Sequence, residues 1–354
     1  MNIYNYEAPL KKYFDEKIKI SNEIKSKLKS NCESNEDRVI NGLDEKYKIT
    51  RASFVQQGSY AMQTIIQAEN NEYDIDDAII FDSSLLKNRN GNDLSANELK
   101  NLVLEAVKDE RFVRAPEKLK NCVRIYYNEG HHVDMACLRK ETDFFGDETI
   151  ELASSDWKAS NPQQINEWFK GKIESLNREK TDSGSRLRRM IRFLKRFSKS
   201  RPSWNMPCGL ILTMLTVECF KNYDRDDECF YYLMKELSNR FNNDGLVVKN
   251  LADNSLWDKE TLTKTSSDPS MIELRDKIKD VLDGLSILEK VECNSKDARE
   301  AWDNVFKTDG FLNEDWDDVV DKMNIIRSGK AKTSSWGTIG FSGLSNIAHK
   351  FHGV

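Results

Sequence analysis

Tyr73-Asp74-Ile75-Asp76-Asp77-Ala78-Ile79-Ile80-Phe81 is the stretch on which the fold reading turns. Its second half is an apolar run of strand-forming residues, and its first half alternates acidic and apolar side chains. Successive side chains of a strand point to opposite faces, so Asp74 and Asp76 share one face while Ile75 and Asp77 share the other. Two carboxylates side by side repel each other unless a cation lies between them. Magnesium suits such a pair, because it takes hard oxygen ligands and bridges substrate phosphates. A D-x-D taken alone is more often a solvated strand edge. The neighbouring segments decide the matter.

Downstream, residues 122–127 and 131–138 read as two further strands joined at Asn128-Glu129-Gly130, a hairpin turn. In the second of them Val133, Met135 and Cys137 alternate against Asp134. One acid therefore projects from an otherwise apolar strand, and Asp134 is the expected third ligand. Three carboxylates on neighbouring strands can hold two ions that activate an attacking hydroxyl and stabilise a leaving pyrophosphate. The expected cofactor is Mg2+, as two ions, with Mn2+ as the substitute.

Upstream lies Gln57-Gly58-Ser59-Tyr60-Ala61, between a candidate strand (52–57) and a short candidate helix from Ala61 to Ile66. Glycine lets the backbone approach a phosphate closely, and a helix N-terminus offers free N–H donors to an anion. The Ser59 hydroxyl can add to them.

Taken together, Gly58-Ser59, Asp74-Ile75-Asp76 and Asp134 resemble the polymerase-β-type nucleotidyltransferase signature. More narrowly, Gln57 to Thr64 and Tyr73 to Asp77 resemble the bacterial CD-NTases, the DncV-like relatives of cyclic GMP-AMP synthases and oligoadenylate synthases. The resemblance continues through Asn161-Pro162 to Trp168-Phe169, Arg186 to Lys195, and Pro207-Cys208-Gly209 to Thr213, roughly residues 50–220. It implies synthesis of a cyclic di- or trinucleotide from nucleoside triphosphates, ATP or GTP foremost, in anti-phage signalling. It also implies that Gln57, Gly58 and Ser59 hold the triphosphate and that Asp74, Asp76 and Asp134 hold the metals. Met62 stands where some relatives place a base-stacking aromatic, and Cys208 where a serine is common; both belong to the implied nucleotide pocket.

A strongly helical basic segment runs from Ser185 to Lys199. Arg188, Arg192, Lys195 and Lys199 fall on one stripe, while Leu187, Met190, Ile191, Leu194 and Phe197 line an apolar face. A helix packed by its apolar side presents such cations to a cleft, where triphosphates need them. Arg192 and Lys195 are the expected phosphate contacts, with Lys195 preferred because the family resembled here places a lysine at this point.

The fold class expected is α+β: a polymerase-β-like nucleotidyltransferase lobe with a twisted mixed sheet, packed on a helical C-terminal lobe. Residues 1–160 form the first lobe, 161–328 the second, and 329–354 a flexible tail. Leu10, Phe14, Ile18, Ile24 and Leu28 recur at helical spacing and predict one long N-terminal helix, followed by a second carrying Val39, Ile40 and Leu43. A helix over residues 95–109, another starting at Asn161-Pro162 and an apolar one from Gly209 to Phe220 complete the outline.

Bulk properties bound the function. Of 354 residues, 38% are hydrophobic and 32% charged, enough for a sizeable core beneath a polar surface. Net charge is −5, from 54 basic and 59 acidic side chains, which disfavours constitutive binding of duplex nucleic acid. Seven cysteines without a CxxC pair read as reduced thiols. The start lacks a signal peptide's apolar core, and no apolar run is long enough for a membrane span, so a cytoplasmic protein without a membrane partner is expected. His131, His132 and Cys137 lack the partner ligands of a zinc site. The end, Phe351-His352-Gly353-Val354, resembles family members joined through their C-terminus to a partner by ubiquitin-like conjugation. Rival functions are transfer of a nucleotide to a protein, RNA or small-molecule acceptor, and a catalytically silent nucleotide-binding sensor.

Overall fold

The computed structural model describes residues 3–68, 73–88, 90–176, 180–181, 184–255 and 258–327. The expected tail, with its proposed conjugation site, and Trp257 lie outside the described residues. The fold is α+β, a mixed sheet backed by helices and packed on a helical bundle.

The sheet forms from β1 (Ser53–Gln56), β2 (Asp74–Asp82), β3 (Glu117–Lys118), β4 (Val123–Tyr126), β5 (His132–Thr142), β6 (Glu148–Ala153) and β7 (Trp157–Ala159). Its main order is β1-β2-β5-β4-β3, and the far half of β5 pairs instead with β6, which pairs with β7. Only β2 and β5 run parallel. The β4–β5 turn closes as the Asn-Glu-Gly sequence predicts, with Gly130 at φ 106°.

The two faces of β2 have different fates. Ile75, Ile79 and Phe81 are fully buried under α2 (Asn22–Tyr47) and α4 (Ala96–Ala106), joined there by Val133, Met135 and Cys137 of β5. Asp74 and Asp76 face the other way. This is the alternation read from the sequence, and it turns the acids toward the helical half of the molecule.

That half comprises α5 (Gln164–Leu176), α6 (Arg186–Ser198), α7 (Gly209–Cys219), α8 (Asp226–Asp244), α9 (Pro269–Leu285), α10 (Ser295–Phe306) and α11 (Asp317–Arg327). Its core is aromatic, built on Phe193, Phe197, Phe230, Trp302 and Phe306. No helix among the described residues is long and apolar enough to cross a membrane.

The N-terminus departs from expectation. Helix α1 (Glu7–Tyr13) and a π-helical turn (Phe14–Ile18) end at Lys19, whose backbone bridges to Ile66. Ser21 then caps a separate helix, its Oγ accepting from Ile24 N at 3.1 Å. Helix α2 runs unbroken through Ile24, Leu28, Val39 and Leu43, so the break falls before Ile24 and not between Leu28 and Val39 as the spacing suggested. No glycine or proline interrupts residues 22–41, whereas Ser21 supplies a cap. Tyr6, Leu10, Tyr13, Phe14 and Ile18 belong to the helical core rather than to the sheet's, which sets the first eighteen residues apart from the lobe they precede. A buried hydrogen bond from Tyr6 N to Asp227 Oδ2, 2.8 Å, fixes them there.

Candidate active site

The parallel register of β2 and β5 sets Asp74 opposite His132 and Asp76 opposite Asp134. Adjacent strands lie about 4.8 Å apart, so pairing alone brings the third acid alongside the first two, on the same face. One ligand atom each from Asp74, His132 and Asp134 lie within 4.8 Å of one another. His132 Nε2 is 2.9 Å from Asp74 Oδ1. The sequence reading weighed His132 only as part of a zinc site and set it aside, since its neighbour here is given by strand register and not by spacing.

Electrostatics follow the geometry. His132 holds the Asp74 carboxyl below its usual range. Burial, then the charges of Asp74 and Asp134, push the Asp76 carboxyl up to about 6. The site thus stores repulsion that a divalent cation relieves, and its oxygen-rich donor set fits a hard ion such as Mg2+. Both oxygens of Asp134 accept from Arg124 across β4 and β5, Nε to Oδ1 and Nη2 to Oδ2, each 2.6 Å. That fork raises the arginine above its ordinary value.

Gly58 abuts the acids. It adopts φ +61°, and a Cβ built on it would lie 2.1 Å from Asp76 Oδ2. Only glycine fits, for two independent reasons: the left-handed backbone and the carboxylate against it. Gly58 opens the single turn α3 (Gly58–Ala61), and the helix expected from Ala61 to Ile66 does not form, because Gln63 takes a left-handed φ of 56°. Gln57 N donates to Asp76 O at 2.8 Å, and Gln57 Nε2 to Pro162 O at 3.1 Å, tying the loop to both halves of the molecule.

A cleft of about 710 Å³ opens between the sheet and the helices. Gln57, Gly58, Ser59, Asp74 and Asp76 line one wall; Lys195, Lys199, Trp204 and Cys208 line the other. Cys208 is exposed at the start of α7. Met62 reaches the cleft but is 4% exposed and packs into the helical core, a poor platform for a base.

The basic stripe of α6 behaves differently from expectation. Arg188 Nε donates to Met62 O at 2.9 Å, Arg192 Nη2 to Gln63 O at 2.6 Å, and Lys195 Nζ to Thr64 O at 3.2 Å. Three cations on successive turns thus clamp three successive carbonyls directly behind the Gly-Ser loop. Arg192 is 5% exposed and is not among the residues lining the cleft; it is a brace, not the phosphate contact expected of it. The helix brings it to the loop's backbone because Gln63, in its left-handed turn, points a carbonyl back at α6. Lys195 does border the cleft, and its Nζ also meets Thr64 Oγ1 at 3.1 Å. Burial, then Lys199 and Arg192, push the Lys195 ammonium down to about 7.

Residues 52–138 match the family described as cyclic GMP-AMP synthase DncV-like, nucleotidyltransferase domain. The loop, β2, the acid-bearing first half of β5 and the partner arginine fall inside that stretch. Over these residues the chain is similar to a DncV-like nucleotidyltransferase domain. Solved DncV structures extend the likeness across the chain. Vibrio cholerae DncV cyclic AMP-GMP synthase, in complex with the linear intermediate 5′-pppA(3′,5′)pG, is similar over 85% of this chain and 96% of its own, at 19% identity and a TM-score of 0.67. The GTP-bound form of Vibrio cholerae DncV matches over 86% and 95%, at 18% identity and 0.66. Escherichia coli DncV with 3′-deoxy GTP matches over 86% and 95%, at 17% identity and 0.63. At these identities the likeness establishes the DncV fold over both the sheet and the helical bundle.

Proposed function

We propose that this DncV-like nucleotidyltransferase condenses nucleoside triphosphates, ATP or GTP foremost, into a cyclic di- or trinucleotide that serves as a signal in cytoplasmic anti-phage defence. The observation that carries this reading is the register of Asp76 with Asp134, which sets the third carboxylate beside the two, Asp74 and Asp76, that line the cleft with Gly58 and Ser59. The DncV structures holding a linear dinucleotide intermediate and GTP support the choice of substrate and product class.

In this reading Asp74, Asp76 and Asp134 hold two Mg2+ ions, for which Mn2+ can substitute. When bound, the metals polarise the attacking ribose hydroxyl and neutralise the leaving pyrophosphate. The chain's own residues do the positioning. Free N–H groups at the start of α3 and the Ser59 hydroxyl receive the triphosphate, and Gln57 anchors that loop against Pro162. Lys195 exchanges Thr64 for a phosphate oxygen, regaining its charge, and Lys199 stands exposed beside it as a second cation. Closure of the ring repeats the transfer after the linear intermediate turns round in the cleft.

Purified protein incubated with labelled ATP, GTP, CTP and UTP plus Mg2+ tests the proposal. A small phosphatase-resistant product is expected. Label appearing on a protein, RNA or small-molecule acceptor would replace cyclisation by acceptor transfer, and no turnover would leave a nucleotide-binding sensor.

A further inference from the structure

One cation already lies against the acid trio. Arg124 stands opposite Asp134 in the antiparallel pairing of β4 with β5, and its planar fork takes both carboxylate oxygens at 2.6 Å. The pair is sheltered, with 26% of the arginine side chain and 14% of the aspartate exposed. Sheltered bidentate pairs are the strong ones.

Little else holds Arg124, in contrast to the many-partnered Arg186 and Arg201. Arg186 reaches Asp226, Asn222 and Asp224 O, and Arg201 reaches Ser200, Val305 O and Asn304 O. Arg124 hydrogen-bonds Asp134 alone among the described residues. Its single anchor is the one acid that the reaction needs as a metal ligand. A divalent cation coordinated by Asp134 would sit a few ångströms from the guanidinium, where like charges repel. The fork and full coordination of the metal are therefore competing states of one carboxylate.

We propose that Arg124 is a built-in counter-cation for Asp134, which must let go before that acid can take a divalent metal, so that Arg124 sets how tightly the site binds metal. The inference rests on the two-metal reading above. It makes Arg124 a positioning residue rather than a catalytic one, and it gives the protein a low affinity for metal on its own.

Binding of Mn2+ alone to the full chain, followed by electron paramagnetic resonance of the free ion, separates the possibilities. Arg124→Gln removes charge and fork; Arg124→Lys keeps the charge and removes the fork. Expected is a roughly tenfold tighter Mn2+ site in Arg124→Gln, an intermediate gain in Arg124→Lys, and a lower melting temperature in chelator that Mn2+ restores in both. Equal affinity in all three proteins overturns the proposal. So does a gain in Arg124→Gln with none in Arg124→Lys, since charge at a distance would then account for everything. Asp134→Asn keeps the two failures apart: if it abolishes Mn2+ binding while the arginine variants change nothing, only this inference falls. If no protein binds Mn2+, the two-metal reading falls with it.

Discussion

Gly58 and Asp76 touch so closely that no side chain can come between them: a Cβ on the glycine would lie 2.1 Å from Asp76 Oδ2. Gly58→Ala must therefore move the loop or turn the acid away. The substitution also forces alanine to φ +61°, which costs about 1–2 kcal/mol. Activity is expected to fall by roughly two orders of magnitude, while the melting temperature drops only by degrees. Gly245→Ala is the control, because Gly245 has φ +75° with nothing within 4 Å. It should lose at least as much stability, since its ψ of −160° puts it where only glycine readily goes, and keep its turnover. Equal activity losses in the two variants would show that backbone strain, and not contact with Asp76, matters at Gly58.

Asp76 carries a predicted conflict between stability and function. Its carboxyl lies at about 6 rather than the ordinary 3.8, through burial and the charges of Asp74 and Asp134. A raised carboxyl means the folded state holds more protons than the unfolded one between these two values. Stability therefore falls as pH rises from about 4 to 6, and the penalty is complete above 6. In chelator at pH 7.5, Asp76→Asn should raise stability by an amount on the order of 2–3 kcal/mol, and the gain should vanish near pH 4. The same variant should make no product with Mg2+. A melting temperature in chelator that is unchanged at pH 7.5 would mean that the acids do not repel as their placement requires.

How much of this could be read in the sequence follows from the range of the interactions involved. The facing of Asp74, Asp76 and Asp134 was legible because strand periodicity is local, and so were α6 and the β4–β5 turn at Gly130. Their convergence was legible only through the resemblance, since nothing in the spacing sets β2 parallel to β5. His132 and Arg124 were out of reach for the same reason: each meets its acid through strand register. The helical stripe was correctly placed on α6, but periodicity cannot say what lies opposite it. The left-handed turn at Gln63 decides that, and Arg192 ends up bracing the loop. At the N-terminus, apolar spacing continues across the Ser21 cap, so the pattern hid the change from one core to the other.

His132 should behave as a support for Asp74. With Nε2 2.9 Å from Oδ1, it orients the carboxylate and keeps it ionised. Groups that orient metal ligands typically change affinity or activity by about 10–100-fold when removed. His132→Ala is expected to weaken Mn2+ binding within that range and to reduce turnover in parallel, leaving the fold intact by circular dichroism. Unaltered Mn2+ affinity would remove His132 from the site.

Lys195 and Arg192 sit one turn apart on α6, and the structure gives them separable roles. The Lys195 ammonium is pushed down to about 7 by burial, then by Lys199 and Arg192, and it borders the cleft. A lowered lysine means the folded state holds fewer protons than the unfolded one above pH 7, so stability rises with pH from there toward the ordinary lysine value. A triphosphate beside Lys195 favours its charged form, so nucleotide binding at pH 8 should draw in close to one proton. Calorimetry in two buffers of different ionisation heat measures that uptake directly. It should disappear in Lys195→Met, where affinity also falls. Among the described residues Arg192 hydrogen-bonds only Gln63 O, and it stays out of the cleft, so Arg192→Met should keep the proton uptake. Its loss should appear chiefly in stability, about 1.5–3 kcal/mol for a hydrogen bond from a charged group. If Arg192→Met abolished the uptake and Lys195→Met did not, the assignments of brace and phosphate contact would have to be exchanged.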